Sequence, residues 1–366
     1  MKKPIFISFF LFGFLILLSS ARGQDPYYSQ FFSAPLYYNP AYTGINTGVR
    51  ARFTFRDQWP NLPVDFRSYY FSADIGDRNL PGSGGLGLIV NSTNEGIGFI
   101  KDLSVGLSLG VRIPISATVV SQVGIKAALV QKTLNWEDFV FSDQLSEKYG
   151  NIYQSGFIAP DANKKVFPDF GAGGLIQFSN PEGNVTGVAG FAVDHLFRPD
   201  EAFLSTSTAP LPRKYVAHVD VVIAAGGGSS SSMYASGGNN DPLKINPGLI
   251  YQNQNSLSTL QAGFNMLKYN IYIGGWYKAG MQSNSANAIS LVAGYRYTFA
   301  EDMSIKFMYS YDLMTSTSMQ GLGGAHEISL ILEFDKMTLF GGGGGGVNTP
   351  GRMSRSSSAL ECPSFY

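Results

Sequence analysis

Leu103-Ser-Val-Gly-Leu-Ser-Leu-Gly-Val-Arg-Ile-Pro-Ile115 carries a large aliphatic residue at every odd position: Leu103, Val105, Leu107, Leu109, Val111, Ile113 and Ile115. The even positions, Ser104, Gly106, Ser108, Gly110, Arg112 and Pro114, are small or polar. A period of two is the side-chain period of a β-strand, so this strand has one apolar and one polar face. It is longer than the roughly 5–6 residues usual in soluble sheets. Its length suits a strand of an outer-membrane barrel, which needs roughly 9–11 residues to cross the bilayer.

Working outward, the amino terminus addresses the same question. Lys2 and Lys3 precede an apolar run from Ile5 to Leu18, followed by Ser19, Ser20 and Ala21-Arg22-Gly23. These are the three regions of a secretory signal peptide, with cleavage expected before Gln24. The apolar run falls short of the ~20 residues of a membrane helix, and no other long apolar run follows Gly23. A helical membrane protein is thereby excluded. A secreted soluble β-protein and an outer-membrane barrel remain. Loss of the leader removes Lys2, Lys3 and Arg22, leaving a small excess of acid, which gives no reason to expect nucleic acid as a partner. The one cysteine, Cys362, cannot form an internal disulfide. The 20 Tyr, 27 Phe and 43 Gly fit interfacial girdles and crowded lumens, although soluble β-sandwiches can match them.

Periodicity predicts an all-β chain, a transmembrane antiparallel β-barrel of fourteen strands: 48–56, 65–75, 84–92, 103–115, 118–131, 169–178, 184–194, 213–225, 244–254, 257–266, 269–278, 286–299, 303–313 and 325–335. Alternation is clear in Val49 to Arg56, in Ile289 to Phe299 and in Met303 to Asp312, and weak in 84–92 and 213–225. The connections alternate as well. With both chain ends placed in the periplasm, short turns fall on the inner side, and the long connections 132–168 and 195–212 fall outside. The 226–243 connection is long for an inner turn, and Asn255-Ser256 is short for an outer loop. The chain divides into a leader 1–23, an aromatic periplasmic or lumen segment 24–47, a barrel 48–335, and a Gly-rich linker with tail 336–366. Two low-complexity stretches stand out, Gly226 to Asn240 and the six glycines Gly341 to Gly346.

Few residues carry chemistry. Gly106-Leu-Ser108-Leu-Gly110 matches the G-x-S-x-G nucleophile pattern, but Ser108 sits in mid-strand and lacks the strand-to-helix turn that exposes such a serine. Gly82-x-Gly84-Gly85-x-Gly87 has no helix after it to form a phosphate site. His195, His218 and His326 have no second ligand at metal spacing, and Asp194-His195, as strand neighbours, are expected to point to opposite faces. No catalytic residue, cofactor or metal is expected. The polar parity is more informative. Arg50, Arg52, Arg56, Arg67, Asp74, Arg112, Lys126, Arg296, Lys306, Asp312, Glu327 and Glu333 are assigned to the lumen. Mutual neutralisation in a plugged or narrow barrel is one reading of them, and a channel or docking surface is the other.

The expected mature start, Gln24-Asp-Pro-Tyr-Tyr-Ser-Gln-Phe-Phe-Ser-Ala-Pro-Leu-Tyr-Tyr-Asn-Pro-Ala-Tyr-Thr-Gly44, resembles the opening of the PorP/SprF family, outer-membrane components of the type IX secretion system of Bacteroidota. Further similarities follow in order: Arg56-Asp-Gln-Trp59, Asp194-His-Leu-Phe-Arg-Pro199, Gly274-Gly-Trp-Tyr-Lys278, Tyr309-Ser-Tyr-Asp312, Gly324-Ala-His-Glu-Ile-Ser-Leu330 and the ending Cys362-Pro-Ser-Phe365. The resemblance spans the mature chain, and its opening and ending are its most specific parts. The poly-Gly linker and the 226–240 insert depart from the family pattern.

The resemblance implies a non-enzymatic barrel in the outer membrane, in contact with its lipid, that supports export, docking or surface anchoring of a secreted protein, often a gliding adhesin, through a C-terminal secretion domain. It implies as partners the periplasmic ring and peptidoglycan-binding components of the system. Candidate partner contacts are Tyr27, Tyr28, Phe31, Phe32, Tyr37 and Tyr38 in the 24–47 segment, Cys362 and Phe365 in the tail, and Trp136, Phe139 and Phe141 in the long outer connection, which also holds Tyr149 and Tyr153. The 24–47 aromatics are read first as packing into the lumen or against the barrel wall, since aromatics usually bury before they bind, with a periplasmic docking strip as the functional alternative. The competing readings are an outer-membrane solute channel with a charged lumen and an enzyme, for which the sequence offers no acid, base or nucleophile cluster.

Overall fold

The computed structural model describes residues 25–77, 80, 82, 84–96, 100–136, 139–156, 163–203, 207–225, 242–281, 287–300, 302–316, 319–335 and 337. The leader, the 226–240 insert, the six glycines, Cys362 and Phe365 lie outside the described residues.

Alternation in the sequence becomes alternation about a barrel wall. In the strand Ile100–Pro114, Leu107 is 66% exposed and Ser108 only 1%. The same step recurs around the molecule: Phe53, Leu86, Ile125, Ile176, Phe264, Leu291 and Phe307 all face outward. An exposed apolar belt of this extent is not tolerated in water. In an outer membrane it is the lipid-facing band. Tyr269, Tyr295, Tyr297 and Phe299 are exposed near one end of it, where aromatic side chains suit the interface.

The strands are β1 (Gly48–Gln58), β2 (Asp65–Gly76), β3 (Gly85–Gly96), β4 (Ile100–Pro114), β5 (Val119–Leu134), β6 (Lys164–Ser179), β7 (Val185–Asp194), β8 (Lys214–Ala225), β9 (Leu243–Gln254), β10 (Leu257–Lys268), β11 (Ile271–Gly280), β12 (Ala288–Ala300), β13 (Met303–Met314) and β14 (Ala325–Phe334). Each pairs antiparallel with its sequence neighbours, and β14 closes on β1, with Val49 opposite Phe334 and Gln58 opposite Ala325. The result is a closed fourteen-stranded barrel with no free sheet edge around its circumference.

Two features exceed the periodic reading. The β5–β6 hairpin is paired out to Thr133 and Lys164, beyond the expected ends at 131 and 169. Its extra rungs carry Lys132, Lys164 and Lys165, so hydrophobic alternation fades there while the ladder continues. The long 135–163 connection also contains a small hairpin, Leu145–Ser146 with Gly150–Asn151.

One end of the barrel carries the 135–163 and 195–213 connections; it is the outer mouth, since long loops face outward in such barrels. The other, inner end holds short turns such as Tyr269-Asn270, where both residues adopt positive φ (50° and 68°) as a tight two-residue hairpin requires. The hydrophobic core lies inside the barrel. It is built largely by residues 25–47, which carry three short helical turns, Phe31–Ser33, Pro35–Tyr38 and Pro40–Tyr42.

Candidate functional site

Residues 25–47 cross the lumen from the outer mouth to the inner end. At the inner end the segment enters β1 at Gly48. At the outer mouth, Asp25 lies against His195, Lys214 and Gln254, which mark the outer ends of β7, β8 and β9. The expected assignment of both chain ends to the periplasm is therefore corrected for the amino-terminal side. A β1 that starts at the inner end can be preceded by a segment threaded back through the barrel.

The inner half of this plug is the turn Asn39-Pro-Ala-Tyr-Thr-Gly44. Asn39 accepts from the Ala41 amide at 2.9 Å and so caps a short turn whose first position is Pro40. Its side-chain amide donates to the Gly174 carbonyl at 3.2 Å. Thr43 Oγ1 donates to Ser108 Oγ (2.8 Å), and the Thr43 carbonyl accepts from Gln122 (2.7 Å). Ser108, of the G-x-S-x-G match, is thus a wall residue holding the plug. The backbone sits so close to the wall that a side chain at Gly85, Gly110 or Gly124 would overlap it, and one at Gly173 would overlap the Asn39 side chain. Gly44 has φ +65° and its Cα packs against Gly85, a conformation and a clearance that only glycine provides.

The outer half is held by charge. Arg56 of β1 reaches Asp312 (2.7 Å) and Glu327 (3.0 Å), and all three side chains are buried. Glu327 accepts the backbone N–H groups of Ser29 and Gln30, each at 2.8 Å. Ser29 Oγ donates to Asp312 at 2.6 Å. Charged groups are tolerated here because each is paired and hydrogen-bonded. Deeper in the lumen, Arg52 meets Asp74 at 2.5 Å, and Asp74 accepts the Gly44 amide at 3.0 Å. At the inner end, Glu333 accepts from Lys306 (2.9 Å) and Ser304 (2.7 Å), beside Arg296 and Arg50. Aromatic packing fills the space between. Phe31 meets Trp276 edge-on with centroids 5.2 Å apart, and Tyr28 meets Tyr37 likewise at 5.1 Å.

The outer mouth holds a second network that sequence reasoning missed. His195 has φ +57°, which ends β7 and turns its ring inward beside Asp194 rather than away from it. The expectation that these neighbours face opposite ways fails because the strand ends between them. The ring nitrogens lie 2.9 Å from Asp169 and 3.0 Å from Asp25. Burial works against the imidazolium, but the Asp25 and Asp169 carboxylates outweigh it and push the His195 pKa up to about 10. Burial likewise opposes the Asp25 carboxylate, and His195 and Lys214 still hold it well below the usual carboxylate range. Lys126 pairs with Asp194 at 2.6 Å. This network borders a cavity of about 130 Å3 at the outer mouth. Only the position of Asp25, just past the expected leader, could have flagged it.

Of the expected lumen charges, Arg50, Arg52, Arg56, Asp74, Arg112, Lys126, Arg296, Lys306, Asp312, Glu327 and Glu333 face inward. Arg67 does not. It is seven residues from Asp74 on the continuous strand β2, so the two take opposite faces. Arg67 lies on the outer side with Asp57 and Asp65. Among candidate partner contacts, Tyr28, Phe31, Phe32, Tyr37 and Tyr38 are buried in the lumen, and Tyr27 is half-buried under the Lys278 ammonium. They are packing residues, and the reading of this segment as a periplasmic docking strip is corrected. Trp136, Phe139 and Phe141 are half-buried, and the Trp136 ring also lies 6.3 Å from Phe203. Val140, Leu145, Tyr149, Ile152 and Tyr153 of the same connection are exposed. Among the described residues no group of His, Cys, Asp and Glu is arranged to hold a metal ion.

Among solved structures, three show a distant similarity to this chain. Omp33 of Acinetobacter baumannii is 7% identical with a TM-score of 0.40, over 80% of this chain and 99% of that one. CdiB of A. baumannii is 10% identical with a TM-score of 0.42, over 78% and 60%. A Pseudomonas aeruginosa FadL homologue is 13% identical with a TM-score of 0.39, over 78% and 89%. Comparison with curated proteins gave no match. A family model does match, from residue 20 to residue 332, and so takes in both the lumen-crossing segment and nearly all of the barrel around it. On that match the chain belongs to the PorP/SprF family of type IX secretion system membrane proteins.

Proposed function

We propose that this barrel serves type IX secretion as a closed, non-enzymatic docking and anchoring platform. Its client is a secreted protein, a gliding adhesin, engaged through a C-terminal secretion domain. The periplasmic ring and the peptidoglycan-binding components of the system meet its inner end. The observation that carries this reading is the filled lumen. The chain's own residues 25–47 occupy it, and the charges expected to line a channel are engaged with one another and with the plug. A client therefore meets the barrel at its rim rather than passing through it. The exposed Val140, Leu145, Tyr149, Ile152 and Tyr153 on the outer connection supply apolar contact area beyond the strands.

Native isolation of the tagged protein from outer membranes, with mass spectrometry of what stays bound, tests the reading. A secreted protein with a C-terminal sorting domain among the retained partners supports it. A barrel that comes away alone and conducts ions in planar bilayers defeats it in favour of a solute channel.

A further inference from the structure

The strand registers place one row of side chains on the lipid-facing side of the wall, at the outer end of β2 to β6. Across the rungs it reads Arg67, Asn94, Lys101, Thr133 and Lys164. Lys101 and Lys164 are exposed, and each lies one outward position above the apolar belt, over Leu103 and Val166 respectively. Leu103 to Ile115 runs about 41 Å along its strand and, at a tilt of about 40°, spans about 31 Å of height, which is the hydrocarbon thickness of a bilayer. The row therefore sits where the headgroups of the outer leaflet begin.

The protein itself does not neutralise the two lysines of this row. Arg67 is held by Asp57 (3.6 Å) and Asp65 (3.1 Å), but neither Lys101 nor Lys164 has an ion pair or hydrogen bond among the described residues. The nearby acids Glu95 and Asp102 take the opposite face and line the cavity, where Asp102 pairs with Lys132 at 3.5 Å. The Lys101 and Lys164 backbones are two strands apart, about 9.6 Å, and flexible lysine stems close that gap over Thr133. The Thr133 hydroxyl lies between them and can donate as well. Two cations and a hydroxyl above an apolar wall suit a phosphate whose acyl chains lie on Leu103, Leu129 and Val166. Across the barrel, near the same end of β11 to β13, the outward positions are Tyr277, Ile289 and Leu313, so the basic pair marks one side of the wall. We propose that Lys101, Thr133 and Lys164 form a docking site for a phosphorylated glycolipid of the outer leaflet, a lipid A headgroup. The 135–163 connection rises from this same β5–β6 hairpin, so a headgroup bound here braces the base of that connection at the membrane surface.

The test takes the protein purified from outer membranes, stripped of lipid in detergent, and follows added lipid A by native mass spectrometry. The comparison lipid is the same molecule freed of its phosphates. Wild type should retain the phosphorylated lipid and hold the dephosphorylated one far more weakly. Lys101→Gln and Lys164→Gln should each weaken retention about 5-fold, and the pair about 30-fold, the scale expected for one and two lysines at an anionic surface. Lys268→Gln removes an exposed lysine at the inner end and should bind as wild type does. Excess inorganic phosphate at matched ionic strength should not displace the lipid, because the acyl chains supply the rest of the contact; displacement would make this a free-anion site and overturn the proposal. Equal retention of the two lipids by wild type, a comparison that needs no variant, overturns it too. So does a double variant that retains lipid A as wild type does, which would leave these lysines to a protein partner.

Discussion

Gly124→Ala adds one methyl group where the wall of β5 meets the plug, and the structure says what it would strike. The new Cβ would overlap the Pro40 carbonyl and come within 2.5 Å of the Ala41 nitrogen, both backbone atoms that no rotamer change can move. Restoring contact distance requires the turn to retreat by about 1 Å, given carbon contacts near 3.5 Å. The turn is pinned on either side by Asn39 to Gly174 and by Thr43 to Ser108 and Gln122. Overpacking strain of about 1–3 kcal/mol, together with one buried hydrogen bond of about 1 kcal/mol lost, gives a destabilisation of about 2–4 kcal/mol. Gly275→Ala is the control, because a Cβ at Gly275 in β11 meets nothing within 4 Å. The assay is the loss of the fast-migrating folded band on gels after graded heating in detergent. Gly124→Ala should unfold about 4–8 °C below wild type, taking about 2 °C per kcal/mol for a chain of this size. Gly275→Ala should stay close to wild type. Equal midpoints for the two variants would refute the reasoning, because the plug would then not be bedded on the glycine wall.

Two further outcomes follow from the charged contacts. Arg56→Met strands Asp312 and Glu327 as neighbouring buried carboxylates and should cost about 3–5 kcal/mol; adding Asp312→Asn should recover part of that loss, and a strictly additive double variant would show that the three groups do not act as a unit. The His195–Asp25 latch sets a pH window. The raised His195 pKa means that its contribution is complete below about pH 6.5 and is lost as pH rises towards about 10, while the lowered Asp25 pKa means that its contribution is complete above about pH 4 and is lost in stronger acid. Hydrogen-exchange protection of residues 27–30 should therefore be greatest between about pH 4 and 6.5 and fall on the alkaline side, and His195→Asn should flatten that alkaline slope; an unchanged slope removes His195 from the latch.

The barrel was readable because a lipid-facing wall imposes one rule on every strand. Leu103 to Ile115 obeys it without exception, and the closure of β14 on β1 follows from an even count of such strands. Arg67 was misplaced by ignoring the same rule, since seven residues of unbroken strand separate it from Asp74. His195 escaped for a different reason: a single left-handed residue ends β7 and reverses a face assignment, and no period announces it. The plug was legible only as an aromatic segment with two possible roles. Its contacts are with glycines, polar and charged residues spread around the wall from β2 to β14, each of which reads locally as an ordinary inward position. The β5–β6 extension was lost where lysines replace the apolar face, because a ladder above the membrane no longer needs one.

Whether the plug is a gate or a fixed part of the wall depends on which polar groups each would leave bare. Glu327 takes two plug amides and Asp74 a third, so withdrawing the segment strips donors from carboxylates built into the barrel. The segment in turn would carry Trp276-facing Phe31 and the four buried tyrosines Tyr28, Tyr37, Tyr38 and Tyr42 into water. Both losses oppose a gate that opens on thermal energy. Deletion of residues 25–46 is a different case, because water would fill the lumen and solvate the exposed carboxylates, while the barrel's own ladder from β1 to β14 stays closed. The deletion protein should therefore fold with a lowered melting midpoint and conduct ions in planar bilayers, where the full-length protein is silent. A full-length protein that conducts as well as the deletion would mean that the segment leaves the lumen in the membrane, and the docking-platform reading would lose the observation that carries it.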